Sequence, residues 1–412
     1  MTKKLLIVGN GMASVRLCEE LMTRAPDHFE TTVVGAEPLP GYNRVLLSAL
    51  LAGEVDDTDV ALRNADWYRE RRIRLMTGRR VERLDLSGRA ADLADGARVA
   101  FDRLVLATGS TAARLPTPGM TLPGVTTFRN LADLPALREA ARNRLRVAVI
   151  GGGVLGIEAA YGLAKGGAKV TLVHVVERLM ERQLDRRAAV FLKRVIERKG
   201  IRVLLGAHTT EIAGAERAEA LVFAGGGVLP VDLVVVAAGV WPNVALAQSA
   251  GIPTKRGILV DDTLTTVVPF VHAIGECAEH RGVVYGLVAP AYDQARVLAR
   301  RLAGDGTALY AGTALSTKLK ISGVSVFSAG DSLGQEGTDD IVLEDRGAGL
   351  CKRLVLKGDR LVGAVLVGDA DDALWYHSLI RDGRDVAAIR DNLIFGRAFC
   401  ESAGGGAMKE AA

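Results

Sequence analysis

The sequence predicts an α/β protein with two three-layer units, each built on a parallel sheet, and a small α+β domain near the carboxyl end. Apolar strand-like runs pass into glycine-rich turns and helical segments twice, at Leu5–Ser14 and at Arg146–Glu158. The 412 residues exceed what one hydrophobic core supports. The 47 glycines and the 5% aromatic content are typical of α/β folds with many tight turns.

The first glycine-rich turn is typical of a site for a dinucleotide pyrophosphate. Gly9 permits a tight turn, and Gly11 lets the backbone approach phosphate oxygens. Ser14 takes the third position, which requires a small residue. After the strand 31–34 comes Glu37, whose carboxylate can accept hydrogen bonds from a ribose.

The second turn repeats the pattern in full. Gly151, Gly153 and Gly156 occupy its three positions, and a second strand follows at Ala168–Val173. Two such Rossmann-like units in one chain imply two bound dinucleotides. The simplest pair is a flavin and a nicotinamide.

Each unit also ends in an apolar strand that runs into a turn of small residues. The first strand runs into Ala107-Thr108-Gly109, and the second into Ala237-Ala238-Gly239. Such a turn lets the backbone pass close to a ligand, although an ordinary strand end has the same composition.

The segment after Glu37 offers two further candidates. Arg44 lies near a predicted helix start, where anionic groups are favoured, and Ser48 follows one turn later. Alone, the segment is typical of a surface loop with a helix cap. Beside the nucleotide turn, both residues become candidates for contacts with flavin or its phosphates.

Composition excludes several classes of function. The net charge of +4 comes from 52 basic and 48 acidic residues spread along the chain, which does not favour nucleic acid binding. No run of 18 apolar residues indicates a membrane span. A signal peptide would have to consume the first glycine turn. We therefore expect a cytoplasmic protein.

Cysteine and histidine spacing predicts no metal site. The four cysteines form no CxxC pair, so we expect ordinary thiols rather than a redox disulfide or a cluster. The histidines show no ligand spacing. The cysteines are Cys18, Cys277, Cys351 and Cys400, and the histidines are His28, His174, His208, His272, His280 and His377.

The ordered motifs GNGMAS, LATGS, GGGVLGIE, AAGVWPN and AIGEC resemble the pyridine nucleotide–disulfide oxidoreductase superfamily. Five further motifs narrow the resemblance, namely PGYNRVLLS, MERQLD, IGECAEHRG, YGLVAPAYDQARVLA and STKLKISGVSVFSAGD. They are similar to the NAD(P)H- and FAD-binding amino-terminal part of assimilatory nitrite reductase large subunits, and to the electron-transfer (FAD) subunit of assimilatory nitrate reductase. The resemblance extends from residue 3 to about residue 396.

This resemblance implies a set of FAD contacts. The residues are Gly9, Gly11, Met12 and Ala13 at the pyrophosphate, Glu37 at the adenosine ribose, Arg44 beside the flavin, Thr108 and Gly109 along its backbone, Gly275 and Glu276 at the ribityl–phosphate portion, and the helix from Val288 at the flavin O2.

It also implies a nicotinamide site in the second unit. Its residues are Gly151, Gly153, Val154, Leu155 and Gly156, with Glu158 near the nicotinamide as the candidate catalytic group. Some relatives pair that acid with a lysine, for which this chain has Ala49. His174 stands where NADH-selective relatives often have an acid. Glu177 favours NADH, whereas His174 and Arg178 would also tolerate NADPH.

The segment 180–185 either contacts the nicotinamide cofactor or begins a helix, and its sequence slightly favours the helix start.

We predict a discontinuous FAD-binding domain at 1–115 and 246–308 and an NAD(P)H-binding domain at 116–245. A carboxyl-terminal interface domain follows at 309–398, and a flexible tail at 399–412.

In the interface domain we expect strands at Leu315–Phe327, Gly349–Leu356 and Leu361–Val367, and a helix at Asp372–Asp382. Lys318 and Lys320 would face either solvent or a partner.

The function implied is an FAD-dependent NAD(P)H oxidoreductase that passes electrons to a separate nitrate or nitrite reductase subunit. Because the chain stops before the cluster and sirohaem segments of nitrite reductases, we expect that it cannot reduce nitrite alone. Alternatives are a reductase for ferredoxin, rubredoxin or a Rieske protein, an NAD(P)H oxidase using oxygen, and a flavin-bearing redox sensor. The acceptor and the oligomeric state are left open.

Overall fold

The computed structural model describes residues 2–319 and 321–403 of the chain. The strands are β1 (Lys3–Val8), β2 (Phe29–Val34), β3 (Arg74–Met76), β4 (Val81–Asp85), β5 (Ala90–Leu93), β6 (Arg98–Ala100), β7 (Arg103–Leu106), β8 (Ser110–Ala112), β9 (Val125–Thr127), β10 (Arg146–Ile150), β11 (Lys169–Val173), β12 (Arg202–Leu204), β13 (Thr209–Ala213), β14 (Ala220–Phe223), β15 (Val228–Pro230), β16 (Leu233–Val236), β17 (Val240–Pro242), β18 (Ile258–Val260), β19 (Val271–Ala273), β20 (Ala278–His280), β21 (Val283–Val284), β22 (Ser316–Lys318), β23 (Val326–Gly330), β24 (Asp339–Asp345), β25 (Leu350–Lys357) and β26 (Arg360–Val367).

The α-helices are α1 (Met12–Arg24), α2 (Leu47–Leu51), α3 (Ala65–Glu70), α4 (Leu134–Arg142), α5 (Val154–Lys165), α6 (Arg186–Arg198), α7 (Ala245–Ser249), α8 (Val288–Leu302), α9 (Ala373–Asp382) and α10 (Arg397–Ala403). Short 3-10 helices cover Arg44–Leu46, Leu131–Asp133, Gly275–Cys277 and Ala387–Phe395.

The chain divides into two compact units. The first contains Met1–Leu47, Val55–Ala112 and Val240–Thr313. The second contains Ser48–Glu54, Ala113–Gly239 and Ala314–Ala412, and so includes the carboxyl-terminal sheet.

The first unit is built on a parallel five-stranded sheet in the order β19-β7-β1-β2-β3. The side chains of alternate β1 residues point to opposite faces of the sheet. Because both faces are buried, the apolar run of β1 is uninterrupted. Leu5 and Ile7 pack in the core that includes residues of α1 and α8. Leu6 and Val8 pack in the core on the other face, with the antiparallel sheet β4-β5-β6.

The second unit repeats this plan with the sheet β12-β11-β10-β16-β9. In both units the strand before the glycine turn, β1 or β10, lies in the middle of the sheet. The next two strands in the chain, β2 and β3 or β11 and β12, lie on one side of it, and the other two lie on the opposite side. The antiparallel sheet β13-β14-β15 takes the place of β4-β5-β6, and residues of β13 and β14 share a core with β10 and β16. Two Rossmann-like three-layer folds are therefore confirmed.

The carboxyl-terminal part of the second unit is an antiparallel sheet, β22-β23-β26-β25-β24, with α9 and α10 beside it. The α+β prediction is confirmed. The expected single strand at Leu315–Phe327 is instead a pair, β22 and β23, joined antiparallel with Ser316 opposite Ala329. No pattern in the sequence predicted β24, in which four of the seven residues are acids and three of those acids are exposed.

Helix α10 corrects the predicted start of the tail. Residues 399–403 are helical, because Cys400 is buried in the same core as Tyr376 and Leu393. The remaining tail residues, 404–412, lie outside the described residues, as does Lys320. Lys318 ends β22, with an exposed side chain.

The four cysteines are free and buried. Burial raises the pKa of the Cys18 and Cys351 thiols to about 12, and it also raises those of Cys277 and Cys400. All four thiols are therefore protonated at neutral pH, and none is a ready thiolate nucleophile. None of the described helices has both the length and the apolar content that crossing a bilayer requires.

His272 on β19 gives the first unit a pH-sensitive core position. Its Nδ1 lies 3.1 Å from the Thr265 hydroxyl, and its buried Nε2 has no hydrogen-bond partner among the described residues. Burial, with a smaller contribution from Arg103, lowers the pKa of His272 to about 4. The unfolded chain therefore binds more protons than the folded one between about pH 4 and pH 6.5.

We expect the free energy of unfolding to fall as pH drops through this window, by about 2 kcal/mol at about pH 5 relative to neutral pH. The variant His272→Gln has no titratable side chain at this position, so its free energy of unfolding should not show this decrease. Urea unfolding of both proteins at the two pH values measures the difference. An equal loss of stability in both proteins would contradict the assignment.

Candidate cofactor-binding sites

The turn after β1 is shaped by a close backbone approach. Gly9 has φ +107°, and a Cβ at this position would lie 2.1 Å from the Ala107 carbonyl oxygen at the end of β7. Only glycine fits such a contact. The Ser14 hydroxyl donates to the Gly9 carbonyl at 2.7 Å, which explains why a serine serves at the third position of this turn.

The same turn opens into space before α1. Gly11 is the N-cap residue, no side chain caps the helix, and a Cβ on Gly11 would meet no described atom within 4 Å. The first-turn amides, including those of Met12 and Ala13, have no acceptor within the helix. Open space before unsatisfied N–H groups fits a pyrophosphate.

The ends of β7 and β19 form a connected set of loops beside this turn. Thr108 and Asn243 exchange two hydrogen bonds of 2.8 Å, between the Thr108 hydroxyl and the Asn243 carbonyl and between the Asn243 amide and the Thr108 carbonyl. Gly109 has φ +67° and faces open space. The Ser110 hydroxyl donates to Glu276 at 2.6 Å, which orients one carboxylate oxygen.

Gly275 connects the loop after β19 to the helices α8 and α1. Its N–H donates to the buried Gln294 Oε1 of α8 at 2.7 Å, and a Cβ on it would lie 3.1 Å from the Ala13 Cβ of α1. Gln294 Nε2 is buried without a partner among the described residues. Val288 begins α8, whose N-cap residue Leu287 provides no side-chain cap, as at α1.

The structure pairs two residues that the sequence assigned to different parts of the dinucleotide. Arg44 forms a salt bridge with Glu37, and the Tyr42 hydroxyl donates to the other Glu37 oxygen at 2.7 Å. Ser48 belongs to the second compact unit, and its buried hydroxyl has no partner among the described residues.

The second glycine turn has the same construction. Gly151 has φ +127°, and a Cβ on it would lie 2.3 Å from the Ala237 carbonyl oxygen at the end of β16. A Cβ on Gly156 would lie 1.9 Å from the Gly151 carbonyl oxygen. Gly153, the N-cap residue of α5, faces open space and has no side-chain cap. This geometry also fits a pyrophosphate.

The other predicted residues of this unit lie around the turn. Val154 and Leu155 begin α5, and Glu158 is buried one turn along the same helix. Gly239 has φ +110° and faces open space. The ring of His174 is buried against Gly152, whose N–H donates to His174 Nδ1 at 3.1 Å.

The segment 180–185 precedes a helix, as its sequence slightly favoured. Asp185 is the N-cap residue of α6, and its carboxylate accepts from the Ala188 N–H at 2.9 Å.

Sequence reasoning missed three of the residues that support the loops around the glycine turn of the first unit. Ser110, Asn243 and Gln294 all lie in motifs that carried the family resemblance, but no spacing rule distinguishes a side chain that orients a loop. In the described part of the chain, no group of three or more His, Cys, Asp and Glu side chains is placed to hold a metal ion.

Comparison with known proteins identifies the class. The pyridine nucleotide-disulphide oxidoreductase family matches residues 3–295, and the C-terminal domain of rubredoxin NAD+ reductase matches residues 316–384. The chain therefore belongs to the pyridine nucleotide-disulphide oxidoreductase family. This confirms the prediction of an oxidoreductase that uses FAD and NAD(P)H.

Two relatives come from Bacillus subtilis (strain 168). Nitrite reductase [NAD(P)H] is 45% identical over 93% of this chain and 48% of its own length. The assimilatory nitrate reductase electron transfer subunit is 41% identical over 95% of this chain and 51% of its own length. This chain thus spans about half the length of these curated relatives.

A ferredoxin reductase of the CYP199A2 system from Rhodopseudomonas palustris has the same fold. Its crystal structure matches with a TM-score of 0.88 and 28% identity, covering 98% of this chain and all of the other.

The open space at the two N-cap glycines allows a direct test of the two sites. Gly11→Ala should abolish most FAD retention while NAD+ binding persists, and Gly153→Ala should weaken NAD+ binding in a protein that stays yellow. A Cβ at either position would meet no atom of the described residues within 4 Å, so the free energy of unfolding of the apoprotein should change by less than about 1 kcal/mol.

Flavin absorbance per protein and calorimetric titration with NAD+ provide the two measurements. Gly225→Ala is the matched control, because it too adds a Cβ in open space. The assignment would be contradicted if either variant lost both FAD and NAD+ binding, or if either variant kept both.

Proposed function

We propose that this chain oxidises NADH and passes the electrons through FAD to a separate redox protein, the catalytic subunit of an assimilatory nitrate or nitrite reductase. One observation carries the proposal: each of two compact units has a glycine turn that opens before an uncapped helix. The similarity to an assimilatory nitrate reductase electron transfer subunit over 95% of this chain supports the choice of acceptor.

The residues of the first unit would hold FAD along the carboxyl ends of its strands. The amides after Gly11 would bind the pyrophosphate, and Glu276, oriented by Ser110, would accept hydrogen bonds from the ribityl portion. The amino end of α8 would place its partial positive charge where the reduced ring gains negative charge. Gln294 holds the Gly275 loop in position for these contacts.

The salt bridge between Glu37 and Arg44 revises how these two residues would act. Glu37 would bind the adenosine ribose with one carboxylate oxygen already oriented by Tyr42. Arg44 would balance the charge of that carboxylate beside the same part of the cofactor.

The second unit would hold the nicotinamide dinucleotide at the turn of Gly151 and Gly153, with Glu158 near the nicotinamide. When bound, the two groups supply hydride transfer from the nicotinamide C4 to the flavin N5 and onward delivery of single electrons. The protein contributes position and electrostatics. We propose NADH as the preferred donor. A cytoplasmic location stays a prediction.

A ferredoxin-type acceptor is the second candidate. It is favoured by the match to a ferredoxin reductase over 98% of this chain and by the rubredoxin reductase C-terminal domain at 316–384. Both candidates use the same flavin chemistry, so only the acceptor distinguishes them.

The test is anaerobic reduction of the purified yellow protein by NADH, followed by mixing with each acceptor in turn. We expect rapid bleaching of the flavin absorbance, slow recovery in air, and rapid recovery with the catalytic subunit of an assimilatory nitrate or nitrite reductase. Stopped-flow absorbance measures each step.

Other outcomes would replace the proposal. Rapid recovery with ferredoxin alone would favour the second candidate, and recovery in air at the NADH turnover rate would make the protein an oxidase. Bleaching that no acceptor reverses would indicate a redox sensor.

A further inference from the structure

The acid expected at the end of the second strand is missing from the second unit. In a dinucleotide-binding fold, a carboxylate at this position accepts hydrogen bonds from the adenosine ribose of NAD and disfavours a 2′-phosphate. Here His174 directly follows β11. Its ring is buried and lies against Gly152 of the glycine turn.

His174 joins two groups through its two ring nitrogens. Nδ1 accepts the Gly152 N–H at 3.1 Å, so in the neutral ring the proton is on Nε2. Nε2 lies 3.1 Å from Glu181 Oε2 and donates to it. A Cβ on Gly152 would lie 2.6 Å from the His174 Cγ, so the glycine lets the ring lie directly against the turn.

The backbone of the next loop holds Glu181 at the same place. The Met180 N–H donates to the Gly152 carbonyl at 2.9 Å, and the Leu179 side chain also packs against Gly152. The segment 179–181 is therefore attached to the glycine turn by one direct hydrogen bond, from Met180, and by a second connection through the ring of His174. A partly exposed carboxylate is fixed beside the turn that would bind the pyrophosphate.

Glu177, the acid that the sequence favoured for NADH selection, lies elsewhere. Its carboxylate lies over Gly206, where a Cβ would be 2.4 Å from Glu177 Oε1. Gly206 follows β12, and β12 is on the opposite side of β11 from β10 and its glycine turn. Glu177 is thus on the wrong side of the strand to replace the missing acid.

We propose that Glu181 is the carboxylate that binds the adenosine ribose of NADH, and that His174 is the positioning residue that holds it there. This inference rests on the proposed function, since it concerns the same nicotinamide site. Glu181 accepts hydrogen bonds from the ribose hydroxyls and repels the 2′-phosphate of NADPH. The neighbouring Arg178 donates to the Glu181 carbonyl and therefore supports the loop.

The experiment is calorimetric titration of the oxidised, FAD-loaded protein with NAD+ and with NADP+. Glu181→Gln keeps an oxygen that can accept from His174 but removes the charge. We expect the Kd for NAD+ to rise about tenfold and the Kd for NADP+ to stay equal or fall. The preference for NAD+, which is the ratio of the Kd for NADP+ to the Kd for NAD+, should therefore fall at least tenfold. Glu177→Gln is the matched control and should leave the preference unchanged.

A second variant tests the positioning role. His174→Phe keeps a buried ring without nitrogen atoms and should narrow the preference as much as Glu181→Gln does. The double variant should narrow it no further, because both changes remove the same carboxylate from the site. Full additivity of the two changes would overturn the role of His174.

The remaining outcomes are distinguishable. An unchanged ratio of the two Kd values in Glu181→Gln, or a changed ratio in Glu177→Gln, would overturn the inference alone. A wild type that prefers NADP+ would overturn both the inference and the proposed choice of NADH as donor, but not the proposed passage of electrons through FAD. A wild-type protein that retains FAD but binds neither nucleotide would overturn the proposed function and, with it, the inference.

Discussion

Both nucleotide-binding units depend on one backbone contact. Gly9 lies against the carbonyl of Ala107, and Gly151 lies against the carbonyl of Ala237, each so closely that a Cβ would lie about 2 Å from the oxygen. This contact lets the chain leave the first strand and enter the helix beside the neighbouring strand end. The helix N-terminus then faces open space at Gly11 or Gly153, and the other site residues are arranged around it.

The two units have different residues at equivalent positions around this contact. At the third turn position the first unit has Ser14, whose hydroxyl bonds the Gly9 carbonyl, whereas the second has Gly156, where no side chain fits. The residue between the two N-terminal glycines is Gly152 in the second unit, which makes room for the His174 ring. A shared backbone therefore permits distinct sets of polar groups at the two turns, and we propose that these groups select the dinucleotide of each unit.

The fold and the glycine positions were largely predictable from the sequence. An uninterrupted apolar strand, a turn that requires φ above zero and a following helix leave a local signature, and the chain carries it twice. The boundaries of the carboxyl-terminal domain were less predictable. Its strand β24 is rich in acids and only half-buried, so its sequence lacks the apolar alternation that marks β25 and β26.

The sequence by itself determined the two glycine turns and the starts of α1 and α5, because each is a property of residues adjacent in the chain. Only the tertiary structure decided which charged groups meet. It paired Arg44 with Glu37, and it placed Glu181 rather than Glu177 beside the glycine turn through His174. Such pairings depend on loop paths and side-chain directions after the strands end, where no periodicity constrains the chain.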